Sequence, residues 1–244
     1  MSGPATTTVA TPSSIWHTEI TETVKLALPM ALTQLGQIAM MTTDLALIGR
    51  LGDLAVAAVA LAHLILFAGF VLGMGLVSAV APLAAQAFGA RQPRLVRRSL
   101  RMGLWAVVIV GLPVNAAQLW GGDILLAAGQ SQETAALAAR YLLGLTWSMM
   151  PAWGFIAIRN FMGAVNRPEP GLWITLAAIP ANGFLAFALI HGSLGLPQLD
   201  ILGAGVATTL VNIGMCAAGI WICYARHPFR KYRVLGNFWR ADWS

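Results

Sequence analysis

Six apolar segments, each long enough to cross a lipid bilayer, limit what this chain can fold into. A spanning helix takes about 20 mostly apolar residues, and such runs recur along nearly the whole sequence. Only 10% of the 244 residues are charged, whereas soluble domains have about 25%. We predict an all-α polytopic membrane protein with six transmembrane helices. The predicted spans are 24–48, 54–83, 104–120, 141–162, 172–190 and 201–224.

Arginine residues are concentrated in three of the connections, which sets the expected orientation. Five lie between residues 86 and 101, and others follow the fourth and sixth spans. The connections after the first, third and fifth spans hold mainly acids. Because loops rich in Lys and Arg stay in the cytoplasm, we expect a multi-pass inner-membrane protein with both termini cytoplasmic. The predicted parts are a disordered tail (1–18), a six-helix lobe (19–225) and a basic connector (226–244).

The first span contains one carboxylate, Asp44, with no cation beside it until Arg50. At about 100° per residue, one arc of roughly 100° around this helix holds Asp44 and three neutral polar residues. These residues are Thr33, Gln34 and Gln37. An ionisable side chain within a membrane costs at least a few kcal/mol, so it indicates a functional site. The alternative is that Asp44 lies at the water interface and only caps or solvates the helix end.

Other polar residues at membrane depth are few. Asn182 follows Pro180 in the fifth span, and a proline there frees a backbone carbonyl that must face protein or a water-filled cavity. Thr208 and Asn212 share one face of the sixth span. Such groups also form simple interhelical hydrogen bonds, so each one alone is more easily interpreted as packing. His63 has no partner visible in the sequence and is expected to be a packed, neutral histidine.

The sequence lacks the patterns of a membrane enzyme. It contains no nucleophile-and-base motif, no H-E-x-x-H metal cluster and no P-loop. Cys216 and Cys223 make neither a metal-ligand pattern nor a disulfide framework. We therefore expect no catalytic residue, metal or cofactor. The basic residues do not form a nucleic-acid-binding face, and no filter loop of a channel is present. An ion-coupled carrier is the favoured class.

Four motifs, in their order and spacing, resemble the multidrug and toxic compound extrusion (MATE) family of transporters over nearly the whole chain. They are L-A-L-P-M…T-D-L-A-L-I-G-R-L-G from Leu26, P-L-A-A-Q-A-F-G-A-R from Pro82, R-N-F-M-G-A…R-P from Arg159 and G-A-G-V-A-T-T from Gly203. The resemblance implies twelve helices in two pseudo-symmetric lobes of six. It also implies a cation-coupled antiporter, driven by protons or sodium, that exports amphipathic organic cations.

The resemblance assigns candidate site residues. Asp44 matches the first-helix aspartate that takes part in proton coupling in the bacterial branch. Asn182 matches the fifth-helix asparagine of the same site and Thr208 resembles its sixth-helix hydroxyl, so these three are the ion-coupling candidates. The candidates for lining the substrate cavity are Gln34, Gln37, Tyr141 and Asn212. Well-studied relatives carry a second polar residue where this chain has Ala186, which leaves the coupling ion open between H⁺ and Na⁺.

The family resemblance also implies about twice this many residues. We therefore expect one lobe: a fragment, a truncated reading frame, or a half-transporter that pairs with a C-terminal half or with a second copy of itself. Two alternatives stay open. One is a non-transporting membrane assembly subunit that packs against another lobe. The other is a flippase for lipid-linked oligosaccharides, which would need more basic residues in its cavity helices.

Overall fold

The computed structural model describes residues 12–192, 198–225 and 229, in which the regular structure is helical and no strand occurs. The connector predicted over residues 226–244 lies outside these residues except for Phe229. The helices of the described part are α1 (Pro12–Gly49), α2 (Asp53–Ser78), α3 (Val80–Gly89), α4 (Pro93–Gln118), α5 (Gly121–Ala127), α6 (Gln132–Leu145), α7 (Met149–Ala164), α8 (Glu169–His191) and α9 (Asp200–Ala225).

These helices make up the six expected crossings. In the described part, four segments are long and apolar enough to span a membrane: 53–89, α4, α8 and α9. The pair α6 and α7, bent by 50° at a short break, makes a fifth. The sixth expected crossing lies in α1, which is 38 residues long but is not among these strongly apolar segments. The prediction of an all-α membrane lobe of six helices is therefore confirmed.

Several helices begin earlier than the sequence predicted. α1 begins at Pro12, so residues 12–18 of the predicted tail are helical. α4 begins at Pro93 rather than at residue 104, because a proline is well suited to the first position of a helix. Arg94, Arg97 and Arg98, expected in a loop, therefore lie on its first turns. The connection expected over residues 121–133 contains the short helix α5.

Two prolines interrupt spans from inside the helix that follows the break. Pro82 is the third residue of α3, and Pro151 is the third residue of α7. A proline cannot bond to the carbonyl four residues earlier and biases its predecessor away from helix. The breaks therefore fall upstream, at Ala79 and at residues 146–148. The second span resumes after its break and continues to Gly89, beyond its predicted end at residue 83.

The break between α6 and α7 leaves the last four carbonyls of α6 without their usual helical donors, and each finds another. Thr146 serves two of them: its Oγ1 donates to Leu142 O at 3.1 Å and its N–H to Leu143 O at 3.3 Å. Thr209 Oγ1 of α9 donates to the carbonyl of residue 144 at 2.7 Å. Ser148 N–H donates to the carbonyl of residue 145 at 2.8 Å. A backbone carbonyl without a hydrogen-bond donor costs free energy in a membrane. These donors remove that cost and so allow the bend.

Glycines bring α6 and α9 together at backbone distance. A Cβ added at Gly144 would lie 2.7 Å from Leu202 O, and one added at Gly205 would lie 2.7 Å from Tyr141 O. No side chain fits at either position without moving a helix. The close crossing places the end of α6 directly against the first turns of α9.

The first helix is attached to the rest of the lobe mainly on one side. α1 packs along α8 and makes few contacts with α2. At the tightest point, a Cβ added at Gly36 would lie 3.1 Å from the Thr175 side chain. The buried core lies among α2, α4, α6, α7 and α9 and includes Trp153, Phe161 and Leu142. This arrangement leaves a gap between α1 and α2.

Candidate functional site

The three predicted ion-coupling residues come together from three helices. Asp44 of α1 is buried, with 7% of its surface exposed. Its Oδ1 accepts a hydrogen bond from Asn182 Nδ2 of α8, and its Oδ2 accepts one from Thr208 Oγ1 of α9 at 3.0 Å. The alternative of a solvated interfacial cap does not fit this position, because both carboxylate oxygens are bound by side chains of other helices.

Each partner of Asp44 is held by its own helix. Asn182 is fully buried and lies two residues after Pro180, and α8 continues through that proline without a break. Thr208 Oγ1 also lies 3.1 Å from Ala204 O, so its single proton is shared between that carbonyl and Asp44. Asn182 Oδ1 has no hydrogen-bond partner among the described residues. The Asp44 site therefore contains one unused buried acceptor.

Asp44 opens into a cavity of about 580 Å³ between α1, α2, α6, α7 and α9. Three of the four residues expected to line a cavity do so: Gln37, Tyr141 and Asn212. Gln34, the fourth, is not part of this lining and is exposed on α1. It lies three residues from Gln37, which turns it about 60° around the helix.

The cavity lining is mostly apolar and carries one carboxylate. Among the described residues, Asp44 is the only acid in the lining, and no Lys or Arg contributes to it. The apolar part consists of Met40, Met41, Leu45, Ile48, Val59, Ala60, Leu66, Phe67, Phe70, Leu145, Met149 and Ala152. The site therefore combines one negative charge with aromatic rings and flexible thioethers.

The remaining polar lining includes two residues for which no functional role was predicted. Ser148, in the break between α6 and α7, accepts a hydrogen bond from Asn212 Nδ2 at 2.7 Å. His63 lies 3.0 Å from Val59 O through Nδ1, and its ring centroid is 5.8 Å from that of Tyr141. His63 is thus packed, as expected, but it also faces the cavity. No sequence signal marked either residue, because both depend on how the helices are placed.

Comparison with known proteins identifies the family. A family model described as MatE matches residues 29–188. A curated protein of Rhodopseudomonas palustris named "Probable multidrug resistance protein NorM" is 64% identical over 230 residues, covering 94% of this chain and 48% of the relative. A protein of the same name from Bradyrhizobium diazoefficiens is 59% identical over 225 residues, covering 92% and 48%. The chain spans about half the length of these relatives.

Solved structures of the same family share the fold. The eukaryotic MATE transporter AtDTX14 superposes with a TM-score of 0.79 at 21% identity, covering 88% of this chain and 47% of that one. The outward-facing form of a multidrug resistance MATE transporter of the MOP superfamily gives 0.75 at 20% identity, covering 89% and 50%. With this fold, and with a family match over most of its length, the chain belongs to the MatE (multidrug and toxic compound extrusion) family and forms its N-terminal six-helix lobe.

Proposed function

We propose that this chain is the N-terminal half of a cation-coupled antiporter that exports amphipathic organic cations, and that Asp44 carries the coupling. The observation that supports this most strongly is the single buried carboxylate in a cavity of aromatic and thioether side chains. Such a cavity favours a ligand with one positive charge and an apolar body. Methionines adapt to ligands of different shape, which suits the multidrug names of the relatives.

In this proposal Asp44 binds either the coupling ion or the cargo at one time. The charged carboxylate needs water, hydrogen-bond donors or cationic cargo, whereas the neutral carboxyl can pack against apolar neighbours. The two forms therefore stabilise different arrangements of α1 against α8 and α9. Coupling amounts to about 1.4 kcal/mol for each unit by which the pKa of Asp44 differs between those arrangements.

The amide of Asn182 suits both forms of Asp44. Its NH₂ group donates to the charged carboxylate. When the side-chain amide rotates by about 180°, its Oδ1 can instead accept a hydrogen bond from the neutral carboxyl. A sodium ion would instead collect oxygen ligands around Asp44. Ala186, one turn beyond Asn182 on α8, is buried and offers only a methyl group. This supports the proton as the coupling ion.

A second six-helix lobe completes the proposed transporter. The relatives are about twice as long as this chain, and Gln34 exposes an amide on the side of α1 away from α8. An amide at membrane depth is stable only against protein or water. We propose that this face of α1 borders the cleft between two lobes, with both termini of the present chain in the cytoplasm.

Neither alternative is favoured by the cavity. A flippase for lipid-linked oligosaccharides handles anionic cargo and would use basic residues there, but the lining has a carboxylate and no Lys or Arg. A non-transporting assembly subunit has no use for a buried charge of this cost.

Efflux by a completed transporter tests the proposal. The chain is joined to the C-terminal half of its Rhodopseudomonas palustris relative, and ethidium export is measured against an imposed pH gradient. Asp44→Asn should accumulate normally and abolish proton-driven export, because it keeps the shape and removes the charge. Asp53→Asn, which changes an exposed acid at the start of α2, is the matched control and should export normally. Export by Asp44→Asn at the unmodified rate would show that Asp44 does not carry the coupling.

A further inference from the structure

An arginine lies behind one end of the Asp44 cavity. Arg159 of α7 donates from Nη1 to Gln37 Oε1 of α1 at 3.2 Å. Its aliphatic stem rests on Gly171 of α8, where an added Cβ would lie 3.2 Å from Arg159 Cγ. The side chain thus runs between three helices and is only partly exposed.

The position of Gln37 places Arg159 relative to the cavity. Among the α1 residues of the lining, Gln37 is nearest the start of the helix, seven residues or about 10 Å before Asp44. Arg159 is not part of the lining and lies behind Gln37. This end of the lobe holds the start of α1, the turn between α3 and α4 and the turn that contains Arg167. We call it the arginine-rich end.

The contact with Gln37 fixes an arginine beside the cavity without cancelling its charge. A carboxylate partner would neutralise a guanidinium, but the Gln37 amide is neutral and only orients it. An uncharged side chain of similar length could supply the packing between α7, α1 and α8. The positive charge at this end of the cavity is therefore the property that requires a function.

We propose that Arg159, held by Gln37, is a positioning residue that closes the Asp44 cavity to cations at the arginine-rich end. The barrier belongs to the arrangement of helices described here. The export proposed above requires a second arrangement, in which cargo from the cytoplasm reaches Asp44. For a monovalent ion about 10 Å from a unit charge, an effective dielectric constant of about 20 gives a change in local concentration of roughly tenfold. This inference concerns the direction of access to the site that the proposed function uses, and its test does not require transport.

The test uses a single cysteine in the cavity of the full chain. Cys216 and Cys223 are replaced by Ala, and Met40→Cys provides the reporter, one turn from Gln37. Membrane vesicles that expose the arginine-rich end are treated with a cationic thiol reagent or with an anionic reagent of the same size. With Arg159→Gln we expect the cationic reagent to react roughly tenfold faster, and the anionic reagent no faster. Arg159→Lys should keep the original ratio, because it keeps the charge.

Two comparisons separate charge from packing. Arg167→Gln removes an exposed arginine from the same end and should leave the ratio unchanged. If Arg159→Gln instead changes both reagent rates by the same factor, the barrier role is wrong and Arg159 only packs. Should that variant fail to accumulate, the ratio with Arg159 in place is measured at about 0.01 M and 1 M salt, where the Debye length is about 30 Å and 3 Å. A ratio that moves toward one at high salt supports the proposal, and a constant ratio overturns it.

Discussion

The crossing of α6 over α9 should respond sharply to a single methyl group. A Cβ added at Gly144 would lie 2.7 Å from Leu202 O, 3.0 Å from Val206 N and 3.1 Å from the carbonyl carbon of Gly205. Because non-bonded atoms rest at about 3.5 Å or more, Gly144→Ala must shift a helix by several tenths of an ångström. Overpacking of this kind costs about 1–3 kcal/mol.

We expect Gly144→Ala to lower the melting temperature of the purified chain in detergent. For a chain of this size, 1 kcal/mol corresponds to about 2–4 °C, so the expected fall is about 2–12 °C. Gly214→Ala is the matched control, since it lies on α9 with nothing within 4 Å of an added Cβ. Both changes improve helix propensity by up to about 1 kcal/mol, so their difference measures packing.

A Gly144→Ala chain that melts at or above the melting temperature of the Gly214→Ala chain would contradict this prediction. The crossing of α6 and α9 would then have more space than the distances around Gly144 indicate. A second readout is the Thr209 bond to the carbonyl of residue 144, which a helix shift would lengthen. Slower amide hydrogen exchange at the end of α6 in the unmodified chain than in Gly144→Ala would support the same conclusion.

Three further predictions concern the proposed transporter. In the completed protein, Asp44→Glu should retain part of the ethidium export, and Asn182→Ala should reduce export less than Asp44→Asn, because it removes a donor and not the charge. The chain alone should dimerise or be unstable and should not export drugs; a monodisperse monomer with full exchange activity in proteoliposomes would contradict this. On intact cells, an impermeant thiol reagent should label Gln130→Cys and not Gln92→Cys, and the reverse pattern would invert the topology.

The Asp44 cluster was accessible to sequence reasoning for physical reasons. A carboxylate in an apolar run is costly, so Asp44 stands out from its neighbours without any structural knowledge. The family resemblance then pointed to Asn182 and Thr208, and the structure places both within hydrogen-bonding distance of the carboxylate. Helical periodicity alone put Gln34 on the same stripe, but the arc was too wide to tell a cavity wall from an outer face.

Other features depend on tertiary placement that no local pattern encodes. Pro82 and Pro151 act on the residues that precede them, so the positions of the two breaks could not be fixed from the sequence. Ser148 enters the cavity only because the second of these breaks turns it there. Arg159 lies inside the predicted fourth span, and its contact with Gln37 joins residues 122 positions apart.

The bend between α6 and α7 also affects how easily this wall of the cavity can lose its water. Its freed carbonyls are bound by Thr146, Ser148 and Thr209 rather than by solvent. These protein donors form the hydrogen bonds that water would otherwise form, so the backbone beside Leu145 and Met149 needs no water to satisfy its carbonyls. An apolar ligand can therefore expel every water molecule from this wall of the cavity without leaving a peptide group unbonded. Removal of this water then costs free energy mainly at Asp44, and in the proposed function the positive charge of the cargo compensates for that cost.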